Sequence, residues 1–284
     1  MRVQRLSQNQ LPPQLQAIGQ PPEQLWVRGA DLASYQDQPL LSVVGSRAIS
    51  PYGRAAVQQV LPDVIRQSVT IVSGLALGTD ALAHQTALSN AGRTIAVLPS
   101  SVNLVYPASN RQLAEEILKH NGSLISEYPD GSEAMRHQFI ERNRLVSGLS
   151  QAVLIVEATE KSGTLHTANF ALEQGREVLA IPGNITSPHS AGTNSLIKAG
   201  ATPVTCSKDI LRALGIEQTE QQQTIFASSP EEAILIELLQ SGITDGIELL
   251  QRSKLNTSLY SQTLTMLELN GVITALGNDR WHLS

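Results

Sequence analysis

From Leu40 to Ile181 the chain repeats one unit: a short apolar run, a loop of small residues, then a stretch with helical periodicity. Strands are predicted at 40–44, 69–72, 94–98, 123–126, 152–157 and 177–181, and helices at 51–67, 79–90, 109–120, 138–149 and 164–174. Apolar runs without period-two alternation are strands buried on both faces. Strands that alternate with helices of this length pair in parallel. The expected fold class is therefore α/β, a parallel sheet with helices on both faces. A short helix and an edge strand are expected within 194–204.

All strand C-termini of such a sheet lie on one edge, where ligands bind. Small residues, hydroxyls and glycines dominate the loops there, and two cations, Arg47 and Lys161, project from them. The loop after the first of these strands begins Gly45-Ser46-Arg47 and ends with Ser50-Pro51, an N-cap followed by proline at the first helical position. A helix start aimed above a sheet favours phosphate. Arg47 adds a planar, multi-donor cation where nucleotide-binding folds usually keep a second glycine. The expectation is that a phosphate backbone is held here.

Two further stretches reach the same rim. Lys161-Ser162-Gly163-Thr164 reads either as a phosphate nest or as an ordinary helix start with a surface lysine. The run from Arg136 to Arg144 is the densest basic segment and contains Phe139 and His137. Its arginines either clamp phosphates beside a base-stacking ring, or belong to a solvated helix start and pair with Glu133 and Glu141. His166 is expected to be a packed or hydrogen-bonded side chain rather than a ligand.

Several function classes are disfavoured. The G-x-G-x-x-G dinucleotide fingerprint and the Gly-x-x-x-x-Gly-Lys-Ser/Thr phosphate loop are both absent, so neither NAD binding nor ATP hydrolysis is expected. Asp80, Glu127, Glu157 and Glu160 are expected to cap helices or pair with arginines more than to act as acids or nucleophiles. Six scattered histidines and the single Cys206 suggest no structural metal, no cofactor and no disulfide. The start lacks a signal-peptide core, and no apolar run reaches membrane-spanning length, so no membrane partner and a cytoplasmic location are expected.

Net charge is −5, distributed unevenly: residues 1–214 carry 17 Lys/Arg against 16 Asp/Glu, and residues 215–284 carry 3 against 9. Any phosphate contact is therefore a local patch in the first part. The domains read as an N-terminal lead-in at 1–38, reduced and possessing one strand around Leu25-Trp26-Val27; the sheet domain at 39–214; a glutamine-rich linker at 215–229; and a small domain at 230–284. Three helices (230–241, 244–251, 257–270) followed by a hairpin describe a winged helix. Its third helix, the expected recognition helix, has no Lys or Arg and carries Glu268, which argues for a protein-contact or regulatory module rather than a duplex reader.

These residues resemble a known family. Val44-Gly45-Ser46-Arg47 with Tyr52-Gly53, Ser73-Gly74-Leu75-Ala76 with Asp80 and Ala83-His84, and Tyr106-Pro107 are similar to the DNA-processing protein A (DprA/Smf) family. So are Ser126-Glu127-Tyr128-Pro129, Phe139-Ile140-Glu141-Arg142-Asn143-Arg144, Glu157-Ala158 with Ser162-Gly163-Thr164, and Pro182-Gly183 with Gly192-Thr193-Asn194. The resemblance covers residues 25–205 in order. It implies an extended Rossmann-like domain that binds incoming single-stranded DNA, protects it, forms a homodimer and loads the RecA recombinase during natural transformation, without catalysis. Carried over position by position, the pocket comprises Arg47, Arg54, Phe139, Arg142, Asn143, Arg144, Lys161, Ser162 and Gly163, beside the Gly45 and Ser46 of the first loop. The runner-up is a nucleotide-processing enzyme of the phosphoribohydrolase kind. Its Pro-Gly-Gly-x-Gly-Thr loop has only Lys161-Ser162-Gly163-Thr164 as counterpart here. A third reading is a protein-interaction scaffold.

Overall fold

The computed structural model describes residues 3–216, 229–277 and 279–283. The chain forms two compact units, Met1–Gln218 and Thr219–Ser284. Most of the expected glutamine-rich linker lies outside the described residues.

The first unit holds one nine-stranded sheet: β1 (Val3–Ser7), β2 (Gln24–Gly29), β3 (Leu40–Val44), β4 (Thr70–Ser73), β5 (Thr94–Val97), β6 (Ser123–Ser126), β7 (Ala152–Ile155), β8 (Glu177–Ala180) and β9 (Thr202–Pro203). Their spatial order is β1-β2-β6-β5-β4-β3-β7-β8-β9. The seven strands from β6 to β9 in this order are parallel, as expected. Every residue of β3 through β7 is buried, which explains why these strands carry apolar residues and small hydroxyls but no charged side chain.

Beyond the expected parallel sheet, residues 3–29 are not a separate lead-in: β1 and β2 extend the sheet as an antiparallel edge. In β2, Leu25 and Val27 are buried while Gln24, Trp26 and Arg28 lie on the more open face. That alternation belongs to an antiparallel strand with one solvated side.

The helices of this unit are α1 (Pro13–Gln16), α2 (Pro51–Arg66), α3 (Thr79–Ser89), α4 (Arg111–Lys119), α5 (Arg136–Leu149), α6 (Thr164–Glu173), α7 (Ala191–Lys198) and α8 (Ser207–Ala213). Alternate residues of the strands face opposite layers. Leu41, Val43, Ile71 and Leu154 pack with α2, α3 and α8, whereas Leu40, Val72, Val153 and Ile155 pack with α1, α5 and α6. Ser42, polar within β3, donates to the Val146 carbonyl at 2.7 Å.

A buried histidine ties α3 to the sheet. The Thr94 hydroxyl donates to the Ile71 carbonyl at 2.7 Å, so it accepts from His84 Nδ1 at 2.7 Å. His84 Nε2 then has no partner among the described residues. Burial, assisted by the Arg142 charge, pushes the His84 pKa down to about 3. Below pH 6.5 the unfolded chain takes up a proton that native His84 refuses until about pH 3, so stability is lost as pH falls through this window. Urea unfolding should show wild type losing about 2–3 kcal/mol more than His84→Gln between pH 7 and 4.5. Parallel pH profiles for the two proteins would contradict this.

The second unit contains α9 (Pro230–Gln240), α10 (Gly246–Ser253) and α11 (Thr257–Leu269), followed by the antiparallel pair β10 (Ile273–Gly277) and β11 (Arg280–Leu283). Its core is Leu235, Leu239, Leu249, Tyr260, Leu264, Leu267 and Ile273 with their neighbours. The Tyr260 hydroxyl donates to the Gly246 carbonyl at 2.8 Å and fixes α11 against α10. The predicted hairpin turn includes Asn278, which lies outside the described residues.

Candidate nucleic-acid interface

The strand order reverses at β3: the chain runs from β3 outward through β4, β5 and β6, then returns to place β7 on the other side of β3. The loops after β3 and β7 therefore separate above the sheet and leave a crevice. A cleft of about 550 Å³ opens there, with Gly45, Ser46 and Arg47 on one wall and Thr159, Ser162, Gly163 and Thr164 on the other. The first turns of α5 close it through Arg136, Phe139, Ile140 and Asn143, and Tyr106 approaches from the loop after β5.

Hydrogen bonds among the loops hold this shape. Thr164 Oγ1 donates to the Gly45 carbonyl at 3.1 Å, joining the two sides of the crevice. The Ser46 carbonyl accepts from the Thr79 N–H at 3.1 Å and from its hydroxyl at 3.2 Å. Gly78, with φ +75°, permits this contact, because a Cβ there would stand 2.3 Å from the Ser46 oxygen.

Arg47 is exposed, and its guanidinium lies over the Phe139 ring, 5.1 Å from the centroid. Tyr106 meets the same ring edge-on, with centroids 5.4 Å apart at 75°. The cleft thus pairs a cation and an aromatic platform with a loop of hydroxyls and backbone amides. Groups of these kinds bind phosphates and stack bases.

Arg142 behaves differently from Arg47. It forms part of the cleft floor but is only 4% exposed, and its Nη1 donates to the carbonyls of Gly74, at 2.6 Å, and Val97. Burial pulls its pKa down to about 10, opposed by the nearby Asp80 carboxylate. Asp80 is also buried and accepts from the N–H groups of Gly74 at 3.1 Å and Ala76 at 3.3 Å, while burial pushes its pKa up. Arg142 therefore positions the loops beneath the cleft. The phosphate-clamping expectation does not fit this residue, because it is buried with its Nη1 held by two backbone carbonyls.

Arg144 is withdrawn as well. It forms a two-pronged pair with Glu127, at 2.7 and 2.6 Å, and donates to the Gln20 carbonyl at 3.0 Å. The carboxylate partner is Glu127 rather than Glu133 or Glu141, although Nη1 also donates to the Glu141 backbone carbonyl at 3.0 Å. Arg54 is exposed on α2, and Lys161 is exposed in the loop beside Ser162; neither lines the cleft. Asn143 does line it, and its Oδ1 accepts from Arg142 Nε at 3.3 Å. His166, expected to be packed, is exposed on α6.

The sequence motifs include Tyr106, Arg136 and Thr164 without assigning them to the pocket. Arg136 had a visible signal, since it opens the basic stretch. Three carboxylates have structural partners: Asp80 and Glu127 as above, and Glu157, which accepts from the Ser50 N–H at 2.9 Å and the Ser50 hydroxyl at 2.5 Å at the start of α2. Glu160 is exposed. Among the described residues, no group of three or more His, Cys, Asp or Glu side chains could hold a metal ion. No described helix is long and apolar enough to cross a membrane.

Comparison with known proteins agrees with the fold and the family resemblance. "Protein Smf" of Escherichia coli K12 is 45% identical over 203 residues, covering 72% of this chain and 54% of that protein. This chain thus spans about half the length of that relative. The solved structure of DNA processing protein A from Streptococcus pneumoniae superposes with a TM-score of 0.70 at 36% identity, covering 75% of this chain and 74% of that one. The Helicobacter pylori protein, described for a unique single-stranded DNA binding mode, gives 0.68 at 28% identity and covers 75% and 96%. The profile of DNA recombination-mediator protein A matches residues 2–215. On these matches, this chain belongs to the DNA recombination-mediator protein A family.

Proposed function

We propose that the cleft between the β3 and β7 loops holds unpaired DNA by its phosphates and stacks a base, and that the protein acts as a non-catalytic recombination mediator. The observation that carries this reading is the packing of Arg47 on Phe139 opposite the Ser162–Thr164 loop. The single-stranded DNA binding described for the H. pylori relative supports it. Protection of incoming DNA, loading of RecA, homodimer formation through the sheet domain and a cytoplasmic location complete the proposal. We assign the second unit as a winged helix that contacts protein, since α11 carries no cation and exposes Met266 and Leu269. Direct DNA contacts are assigned to Gly45, Ser46, Arg47, Phe139, Asn143, Ser162 and Gly163, with Arg136 and Tyr106 added. Lys161 and Arg54 supply longer-range attraction from outside the cleft. A nucleotide-processing activity has less support, because Asp80, Glu127 and Glu157 are committed to backbone, Arg144 and Ser50.

Fluorescence anisotropy with labelled single- and double-stranded oligonucleotides across a salt series tests the reading. Single strands should bind more tightly, with log K falling by about 0.7 per decade of salt for each phosphate contacted. Equal or tighter duplex binding, or affinity indifferent to salt, would overturn it.

A further inference from the structure

The first cleft leaves one set of motif residues unexplained: Tyr52, Pro182-Gly183 and Gly192-Thr193-Asn194. Tyr52, Pro182 and Gly183 line a second cleft of about 520 Å³ on the same rim, and Gly192 and Asn194 brace its loops from behind. The two clefts share their loops. Gly45–Arg47 line the first and Ser50 and Tyr52 the second, while the β7 loop gives Thr159, Ser162, Gly163 and Thr164 to the first and Glu157 to the second.

The second cleft is rigidly built. Asn194 on α7 accepts from the Gly183 N–H at 3.2 Å and donates back to the Gly183 carbonyl at 3.0 Å. Gly192 packs against the β7 loop, where a Cβ would lie 2.7 Å from the Ala158 carbonyl oxygen. The Tyr52 hydroxyl donates to the Pro182 carbonyl at 2.5 Å and sets the ring as a wall that is half exposed. Ser190 is only 3% exposed and lines the cleft, yet its hydroxyl has no hydrogen-bond partner among the described residues.

The lining chemistry differs from that of the first cleft. No lysine or arginine is present, and Glu157 is a buried carboxylate. Phosphate is disfavoured there. A neutral planar ring suits it, with one face on Tyr52 and its polar edge on the hydroxyls of Ser187 and Ser190. We propose that this second cleft is a nucleobase subsite, taking an unpaired base of the same strand whose phosphates occupy the first cleft. The assignment rests on the single-strand reading above.

The test uses the full chain and two labelled oligomers, roughly a dozen nucleotides long: an oligothymidylate and its abasic counterpart with the same phosphates. Tyr52→Ala removes the wall, Ser187→Trp fills the cleft, and Tyr52→Phe keeps the ring. The first two should weaken oligothymidylate binding by at least about fivefold, the scale of one stacked base. They should leave abasic binding unchanged, and Tyr52→Phe should retain most of the affinity. Equal losses on both oligomers, or no loss on oligothymidylate in either variant, would overturn the subsite. So would free thymidine that occupies the cleft without displacing the oligomer, since it would make this a free-nucleoside site. If wild type binds neither oligomer, the single-strand reading itself fails, and that result is distinct from the others.

Discussion

Arg47→Ala should lower affinity for single-stranded DNA by about tenfold or more, the scale of one charged hydrogen-bonded contact. It should also flatten the salt dependence by about 0.7 for each phosphate that Arg47 no longer neutralises. The effect should be nearly independent of sequence, because the guanidinium addresses phosphate. Arg47 covers a face of Phe139. A base can stack on that face only once Arg47 has moved off it, toward the backbone it is to bind. Arg47→Lys should therefore recover the salt slope but not the full affinity, since an ammonium lacks the planar fork that both stacks on the ring and grips phosphate. Anisotropy over a salt series reads both quantities. Identical affinity and slope in Arg47→Ala would remove Arg47 from the site.

Arg142→Met should damage the fold. The substitution leaves the Gly74 and Val97 carbonyls without their donor and strips buried Asp80 of a neighbouring positive charge. Removing one partner from a buried charged arrangement costs about 3–5 kcal/mol. For a domain of this size that corresponds to a fall of roughly 10 °C in Tm. Gly74→Ala should produce the same phenotype by another route, because its Cβ would stand 2.3 Å from the Arg142 Nη1. Arg54→Ala, on an exposed face of α2, should shift stability by no more than about 0.5 kcal/mol. Calorimetry separates these cases. If Arg142→Met kept its Tm yet bound DNA as weakly as Arg47→Ala does, Arg142 would be a ligand contact instead.

The sheet was legible because β3 through β7 are short, predominantly apolar, free of charged residues and spaced by helices, so predicted and observed spans differ only at their ends. β1 was not, since its sequence Val3–Ser7 is largely polar and gains its place by pairing with β2. Within the site, the type of each residue could be read more easily than its direction. Phe139 and Asn143 share the cleft face of α5 at i, i+4 spacing, while Gln138, Arg142, Leu145 and Leu149 share the buried stripe. Extending the apolar stripe of Leu145 and Leu149 back by single turns would have placed Arg142 inside. No local pattern links Tyr106 to Phe139; only the folded β5 loop brings the rings together. Thr79 makes two bonds to the Ser46 carbonyl, a role that no local pattern announces.

The most direct measurement is photo-crosslinking of a single strand carrying 4-thiothymidine, followed by mass spectrometry of the adducts. The account predicts adducts on Phe139, Tyr106 or their immediate neighbours, reduced in Arg47→Ala. Adducts confined to residues 229–283, with none on the loops around β3, β7 and α5, would contradict it.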